Sequence, residues 1–242
     1  MASVDPRDRL FVALDVPNVE AARRLVTEIG DEARCYKVGL ELVFGGGFEF
    51  AQGLKAAGKQ VFLDMKLLDI PNTVAKAAAN IASIGLDYLT VHGTDRKTLD
   101  AAVKGRGTSK LKLLAVTVLT SADTADLAEQ GIAAMSPAEL VLHRVRLAKA
   151  AGFDGCIASG NEAAAVRAAV GAGFLIVTPG IRPAGSAVGD QARVATPMAA
   201  ISAGATHLVV GRPITEANDP RAAARAIVTE IGHATRSITI RS

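Results

Sequence analysis

The sequence has few of the residues that mark nucleic-acid-binding proteins. It contains no tryptophan, and aromatic residues make up only 4% of its 242 residues. Its 27 basic and 24 acidic residues leave a formal charge of +3, and no block of lysines and arginines concentrates that charge. Scarce aromatics and dispersed charge argue against a nucleic-acid-binding protein, whereas binding of small anions stays possible.

Cysteine and long apolar runs are scarce as well. The two cysteines, Cys35 and Cys156, lie far apart without a CxxC motif or a histidine cluster, so we expect neither disulfides nor a zinc site. No apolar run approaches the ~18 residues that a membrane span needs, and residues 1–9 do not resemble a signal peptide. We therefore expect a cytoplasmic protein with a short N-terminal tail and no membrane partner.

Strand-like apolar runs alternate with Ala-rich segments of helical periodicity along the chain. Eight runs predict strands: Leu10–Leu14, Cys35–Val38, Val61–Leu63, Tyr88–Val91, Leu111–Val118, Gly155–Ala158, Phe174–Val177 and His207–Val210. The segments between and after them predict helices: Val19–Ile29, Gly47–Ala57, Thr73–Ile84, Arg96–Val103, Pro137–Ala151, Glu162–Val170, Pro197–Ala203 and Arg221–Ile231.

This alternation predicts an α/β protein with a parallel sheet and helices outside it. Eight evenly spaced units in 242 residues fit a closed (β/α)8 TIM barrel that forms one domain over residues 1–242. An open, doubly wound sheet is the alternative. We favour the barrel because no GxGxxG turn follows the first strand.

Three charged residues stand where the third predicted strand meets its helix. Asp64 and Lys66 are two residues apart, so their side chains leave the same face of an extended strand, and Asp69 follows in the loop. The carboxylates favour a protonated lysine, and the lysine favours ionised carboxylates against the cost of burial. This arrangement predicts a site at the carboxyl end of the barrel strands, where barrel enzymes carry their active sites.

Other strand ends add to this site. Asp15 follows the first strand, Lys37 lies in the second, and Thr120 follows the fifth. His92 directly follows the fourth predicted strand, and we expect it to pack near the site without a catalytic role. Four charges, those of Asp15, Lys37, Asp64 and Lys66, would then alternate in sign around one mouth.

The loops after the last two strands predict a phosphate site. The long loop after the seventh strand contains Pro179, Arg182 and Gln191, and it could fold over a ligand as a lid. After the eighth strand, Gly211 permits close approach of the backbone to an anion and Arg212 offers a planar fork of donors. Barrels commonly bind phosphate at these two loops.

Together these motifs resemble the orotidine 5'-monophosphate decarboxylase family from about Leu10 to Ile231. The matching segments are Lys37-Val38-Gly39, Asp64-x-Lys66-x-x-Asp69-Ile70-Pro71-x-Thr73, Thr178-Pro179-Gly180-Ile181-Arg182, Asp190-Gln191-x-Arg193 and Gly211-Arg212-Pro213-Ile214. The resemblance implies a (β/α)8 enzyme without cofactor or metal that converts orotidine 5'-monophosphate to UMP and CO2, the last step of de novo UMP synthesis.

The resemblance also implies roles for single residues. Lys66 would protonate C6 of the pyrimidine, and Asp64 would lie against the substrate carboxylate. Lys37 and Asp69 would complete the catalytic set, with Lys37 also holding the ribose hydroxyls. The remaining implied contacts are Asp15 with the ribose, Thr120 with the pyrimidine edge, and Gln191 and Arg212 with the phosphate, beneath the closing Pro179 loop. The family is homodimeric, so Asp69 and Thr73 would reach into the partner's site.

Two alternatives stay open at this point. Sugar-phosphate decarboxylases and synthases of the same superfamily share the Asp-x-Lys-x-x-Asp strand, but they use magnesium and have a glutamate where this chain has Lys37. A non-catalytic barrel that binds a phosphate ligand is the other alternative. Intact Asp64, Lys66 and Asp69 argue against it.

Overall fold

Eight parallel strands close into a barrel in the computed structural model, which describes residues 4–132, 134–184 and 194–241. The strands are β1 Leu10–Ala13, β2 Cys35–Gly39, β3 Gln60–Leu67, β4 Tyr88–His92, β5 Lys112–Val116, β6 Gly155–Ile157, β7 Leu175–Thr178 and β8 His207–Val210. Strand β1 pairs in parallel with both β2 and β8. The barrel prediction is therefore confirmed, and the open sheet is excluded.

Helices follow the strands around the outside of the barrel. They are α1 Val19–Ile29, α2 Leu40–Leu42, α3 Phe48–Ala56, α4 Pro71–Ile84, α5 Arg96–Arg106, α6 Thr124–Glu129, α7 Pro137–Ala151, α8 Ala163–Val170, α9 Pro197–Ser202, α10 Arg212–Thr215 and α11 Pro220–Arg241. Three short helices, α2, α6 and α10, were not predicted, because segments of three to six residues carry too little periodicity. Helix α11 continues ten residues beyond the predicted end at Ile231.

Residues at every second position of a strand point into the barrel. This alternation decides where the charged residues of the predicted site lie. Phe11, Cys35 and Phe62 belong to a buried cluster inside the barrel. The ring centroids of Phe11 and Phe62 lie 5.2 Å apart. The residues two positions further along β2 and β3 are Lys37 and Asp64. Strand alternation therefore places apolar residues at the floor of the barrel and charged residues at its carboxyl end.

Strand β3 is longer and less regular than the sequence predicted. It continues past Leu63 to Leu67, and its pairing with β4 shifts from Leu63 opposite Leu89 to Leu67 opposite Val91. Three residues of β3 thus face a single residue of β4, which is a bulge. Lys66 lies in this bulge with φ of +47°, the one positive φ at a non-glycine residue within the described ranges.

Among the described residues, no helix combines the length and apolar character that crossing a membrane requires.

Candidate active site

A cavity of about 700 Å³ opens at the carboxyl end of the barrel, a volume suited to a small-molecule ligand. Strands β1 to β3 bring the four predicted charges to its wall: Asp15, Lys37, Asp64 and Lys66. The later loops contribute five more predicted residues to the same wall: Thr120, Pro179, Arg182, Gly211 and Arg212. Nine of the twelve predicted site residues therefore line one cavity.

The four charges form a continuous chain of ion pairs. Lys37 Nζ lies 2.8 Å from Asp15 Oδ1 and 3.5 Å from Asp64 Oδ2. Lys66 Nζ lies 2.9 Å from the same Asp64 Oδ2. Gly39 leaves room for the first pair, since a Cβ atom there would lie 2.8 Å from Lys37 Nζ and 3.0 Å from Asp15 Oδ1. The order of the chain is Asp15, Lys37, Asp64, Lys66, with signs alternating throughout.

Asp64 is the more buried of the two carboxylates in this series of ion pairs, with 8% of the residue exposed. Burial alone would raise its pKa, but the charges of Lys37 and Lys66 and hydrogen bonds from Lys66 and Thr90 lower the pKa below its usual value. Asp64 is therefore ionised at neutral pH between two ammonium groups. The Lys66 side chain is one-third exposed, so its ammonium group can meet a ligand in the cavity.

Thr90 contacts both members of the Asp64–Lys66 pair, and the sequence analysis missed it. Its hydroxyl donates to Asp64 Oδ1 over 2.8 Å and accepts from the backbone N–H of Lys66 over 3.0 Å. The sequence does show that Thr90 is a polar residue within the otherwise apolar run Tyr88–Val91, and this could have indicated a role for it. Its importance depends on the bulge in β3, which the sequence pattern did not reveal.

The loop after β7 is held at its base beside the cavity. The Arg182 N–H donates to the Ala195 carbonyl over 2.9 Å, and the Ala195 N–H donates to the Gly180 carbonyl over 3.3 Å. Arg212 follows β8 as the first residue of α10, directly after Gly211. Gln191, the other predicted phosphate contact, lies outside the described residues.

Asp69 and Thr73 do not line the cavity. Both are exposed on the surface near the start of α4, and Asp69 Oδ1 accepts a hydrogen bond from the N–H of Ile70 over 2.6 Å. Their neighbours Leu68 and Ile70 are apolar yet 57% and 66% exposed. In the isolated chain these two predicted site residues therefore stand apart from the other nine that the structure describes.

His92 lies half-buried at the end of β4. Burial lowers its pKa, and the charges of Arg144 and Lys66 lower it further, against the opposing effect of Asp64. Its imidazole is therefore neutral at neutral pH.

The chain is similar to orotidine 5'-phosphate decarboxylases over nearly its whole length. A family model described as "Orotidine 5'-phosphate decarboxylase / HUMPS family" matches residues 8–227. The orotidine 5'-phosphate decarboxylase of Rhodopseudomonas palustris (strain BisA53) is 55% identical over 232 residues, which are 96% of this chain and 98% of that protein. The enzyme of the same name from Afipia carboxidovorans is 56% identical, with 94% and 96% covered.

A solved structure agrees with these sequence matches. The crystal structure of orotidine 5'-phosphate decarboxylase from Lactobacillus acidophilus superimposes with a TM-score of 0.82 at 39% identity. The alignment covers 92% of this chain and 98% of that one.

Proposed function

Because the chain belongs to the orotidine 5'-phosphate decarboxylase / HUMPS family and its relatives are decarboxylases, it converts orotidine 5'-monophosphate to UMP and CO2, and we propose that Lys66 supplies the proton. The reaction belongs to pyrimidine biosynthesis. The relatives also argue against the non-catalytic barrel, since proteins 52–56% identical to this chain are named as decarboxylases. One observation carries the proposal: the Lys66 ammonium group lies in the cavity, 2.9 Å from the buried Asp64 carboxylate.

The reaction needs a positive group at the carbon that loses CO2. Cleavage of the bond between C6 and the carboxylate leaves an electron pair on C6, and no ring carbonyl is placed to delocalise it. A fixed ammonium group stabilises this developing charge and then transfers its proton to C6. Lys66 would end the cycle as a neutral amine and regain a proton from water. Its ion pair with Asp64, at 2.9 Å, holds the side chain in place for the next cycle.

We propose that Asp64 acts on the substrate carboxylate as well as on Lys66. Two carboxylates in contact repel each other by about 4 kcal/mol at an effective dielectric constant near 20. This repulsion disappears when neutral CO2 forms. It therefore raises the free energy of the bound substrate more than the free energy of the transition state. The pKa of Asp64 is lowered by Lys37 and Lys66 despite burial, which keeps the group charged for this role.

The remaining lining residues would orient the substrate. Asp15 and Lys37 would bind the ribose hydroxyls, and Thr120 would meet the pyrimidine edge. Gly211, Arg182 and Arg212 are candidates for phosphate binding because they lie in the loops after β7 and β8. Gln191 would join them, and the loop that begins at Pro179 would close above the ligand. Contacts with a non-reacting phosphate supply binding energy that closure of the site can use.

We propose further that the chain acts as a homodimer in which Asp69 and Thr73 enter the partner's site. Support comes from the exposure of Asp69 and Thr73 beside the exposed apolar residues Leu68 and Ile70. An apolar patch next to a catalytic motif is suited to an interface. The cytoplasmic location expected from the sequence also stays a prediction, which cell fractionation would test.

Complementation between two inactive variants would test the shared site. We expect Lys66→Ala and Asp69→Ala to be nearly inactive alone. Mixed during refolding, they should recover about a quarter of wild-type activity, because half of the dimers are mixed and each has one intact site of two. Absence of recovery, in samples whose sedimentation shows exchanged dimers, would place Asp69 in its own chain's site.

Activity in the presence of a chelator would test the metal-free reaction. After dialysis against EDTA, we expect loss of orotidine 5'-monophosphate absorbance at the rate of the untreated protein, because a lysine supplies the positive charge. The same preparation supplemented with magnesium is the control. Activity lost with EDTA and restored by magnesium would contradict the proposal and favour the magnesium-dependent chemistry of the alternative.

A further inference from the structure

A single buried hydroxyl connects the two residues on which the proposed chemistry depends. Thr90 lies in the middle of β4 with 0% of its surface exposed. Its Oγ1 atom is 2.8 Å from Asp64 Oδ1 and 3.0 Å from the backbone nitrogen of Lys66. Thr90 is not among the residues that line the cavity, so its hydroxyl would affect the reaction through the neighbours that it holds.

The bulge in β3 explains why Lys66 needs this side chain. Asp64, Met65 and Lys66 all lie opposite Thr90, because Leu63 pairs with Leu89 and Leu67 with Val91. The left-handed backbone of Lys66, with φ of +47°, is unfavourable for a residue that has a Cβ atom. The bulge displaces the Lys66 N–H from the regular hydrogen bonds between β3 and β4. This N–H donates to the Thr90 hydroxyl instead, so it is not left unsatisfied.

The geometry also fixes the direction of the hydroxyl proton. A threonine hydroxyl has one proton, and its oxygen accepts the N–H of Lys66, so the proton is directed to Asp64. Such a chain of donors strengthens each hydrogen bond in it. Thr90 thereby holds Oδ1 of Asp64 and leaves Oδ2 facing Lys66 at 2.9 Å and Lys37 at 3.5 Å.

We propose that Thr90 is a positioning residue, which orients the Asp64 carboxylate and holds the strained Lys66 backbone so that the ammonium group meets the reacting carbon. The inference rests on the proposed roles of Asp64 and Lys66. It adds a residue outside the cavity on which the geometry of the pair depends. Small misplacements of reacting groups lower rates strongly, so loss of the Thr90 hydroxyl should slow the chemical step more than it weakens binding.

Two substitutions separate the hydroxyl from the bulk of the side chain. Thr90→Val keeps the shape and removes the hydroxyl, and we expect kcat to fall about 10- to 100-fold with KM within about threefold of wild type. Thr90→Ser keeps the hydroxyl, and we expect kcat within about threefold of wild type. Thr90→Ala, which removes the hydroxyl without adding a buried methyl group, would repeat the test if the valine variant does not fold.

The pH profile gives a readout that a purely structural role would not change. Removing a donor from an ionised carboxylate raises its pKa, so the acidic limb of the kcat profile should move to higher pH in Thr90→Val. The limb should stay in place in Thr90→Ser. An unchanged limb in the valine variant would contradict the proposed contact with Asp64 during turnover.

Thr98→Val is the matched control. Thr98 is also buried, and its hydroxyl also donates to an aspartate, Asp95, over 2.8 Å, but it lies in α5 outside the cavity lining. We expect Thr98→Val to lower the thermal midpoint and leave kcat unchanged.

The proposal is wrong if Thr90→Val keeps kcat within about threefold of wild type or if Thr90→Ser loses as much as Thr90→Val. An equal loss of kcat in Thr98→Val would likewise overturn it. In each case a nearly inactive Lys66→Ala would still support Lys66 as the acid. The proposal for Thr90 can therefore fail while the proposal for Lys66 stands.

Discussion

Lys66→Ala should lose nearly all decarboxylase activity, with kcat at least about 10⁴-fold below wild type. General acid catalysis and electrostatic stabilisation of the developing charge each contribute factors of about 10² or more, and in the proposed mechanism both depend on this one ammonium group. The fold should survive, because the side chain is one-third exposed and Asp64 keeps Lys37 as a partner. Loss of substrate absorbance under saturating substrate would measure kcat.

Two further variants would separate the charge of Lys66 from its role as an acid and provide a control. Lys66→Arg keeps the positive charge but is a far weaker acid, so it should remain nearly inactive if proton transfer matters. Lys110→Ala removes an exposed lysine from the loop before β5, at the opposite end of the barrel, and should match wild type. Retention of more than about a tenth of wild-type kcat in Lys66→Ala would contradict the assignment of Lys66 as the acid.

The sequence predicted the barrel well because the fold depends on patterns local to each unit. Each strand is a short apolar run, and each major helix has its own periodicity, so the order of elements could be derived without knowledge of their contacts. The strand ends also predicted that Asp15, Lys37, Asp64 and Lys66 surround one mouth, and the structure places all four at the cavity. The sequence also placed Asp64 and Lys66 together, although Lys66 lies in a bulge and not in the extended strand that the prediction assumed.

The details of β3 could not be predicted in this way. A bulge depends on how two strands pair, so neither its position nor the positive φ of Lys66 follows from one strand's sequence. Thr90 was missed for the same reason, since its importance comes from facing that bulge. The proposed placement of Asp69 and Thr73 in a partner's site would be a property of two chains, and the isolated chain shows only that both are exposed.

Arg212→Ala should affect binding of the phosphate rather than the chemistry at the pyrimidine. We expect kcat/KM for orotidine 5'-monophosphate to fall about 10²- to 10⁴-fold, because a guanidinium group makes two charge-assisted hydrogen bonds to phosphate worth about 1.5–3 kcal/mol each. Arg212 lies at the cavity wall, and the ion pairs of Lys66 and Asp64 do not involve it. The nucleoside orotidine, which lacks the phosphate, offers a matched substrate.

With orotidine, wild type and Arg212→Ala should have equal kcat/KM within about threefold, because neither can use a phosphate contact. Arg236→Ala, which removes an exposed arginine from α11, should match wild type with both substrates. An equal loss on both substrates would mean that Arg212 supports the pyrimidine site, and normal kinetics with orotidine 5'-monophosphate would mean that the phosphate binds elsewhere. Only a loss confined to the phosphorylated substrate supports the loops after β7 and β8 as the phosphate site.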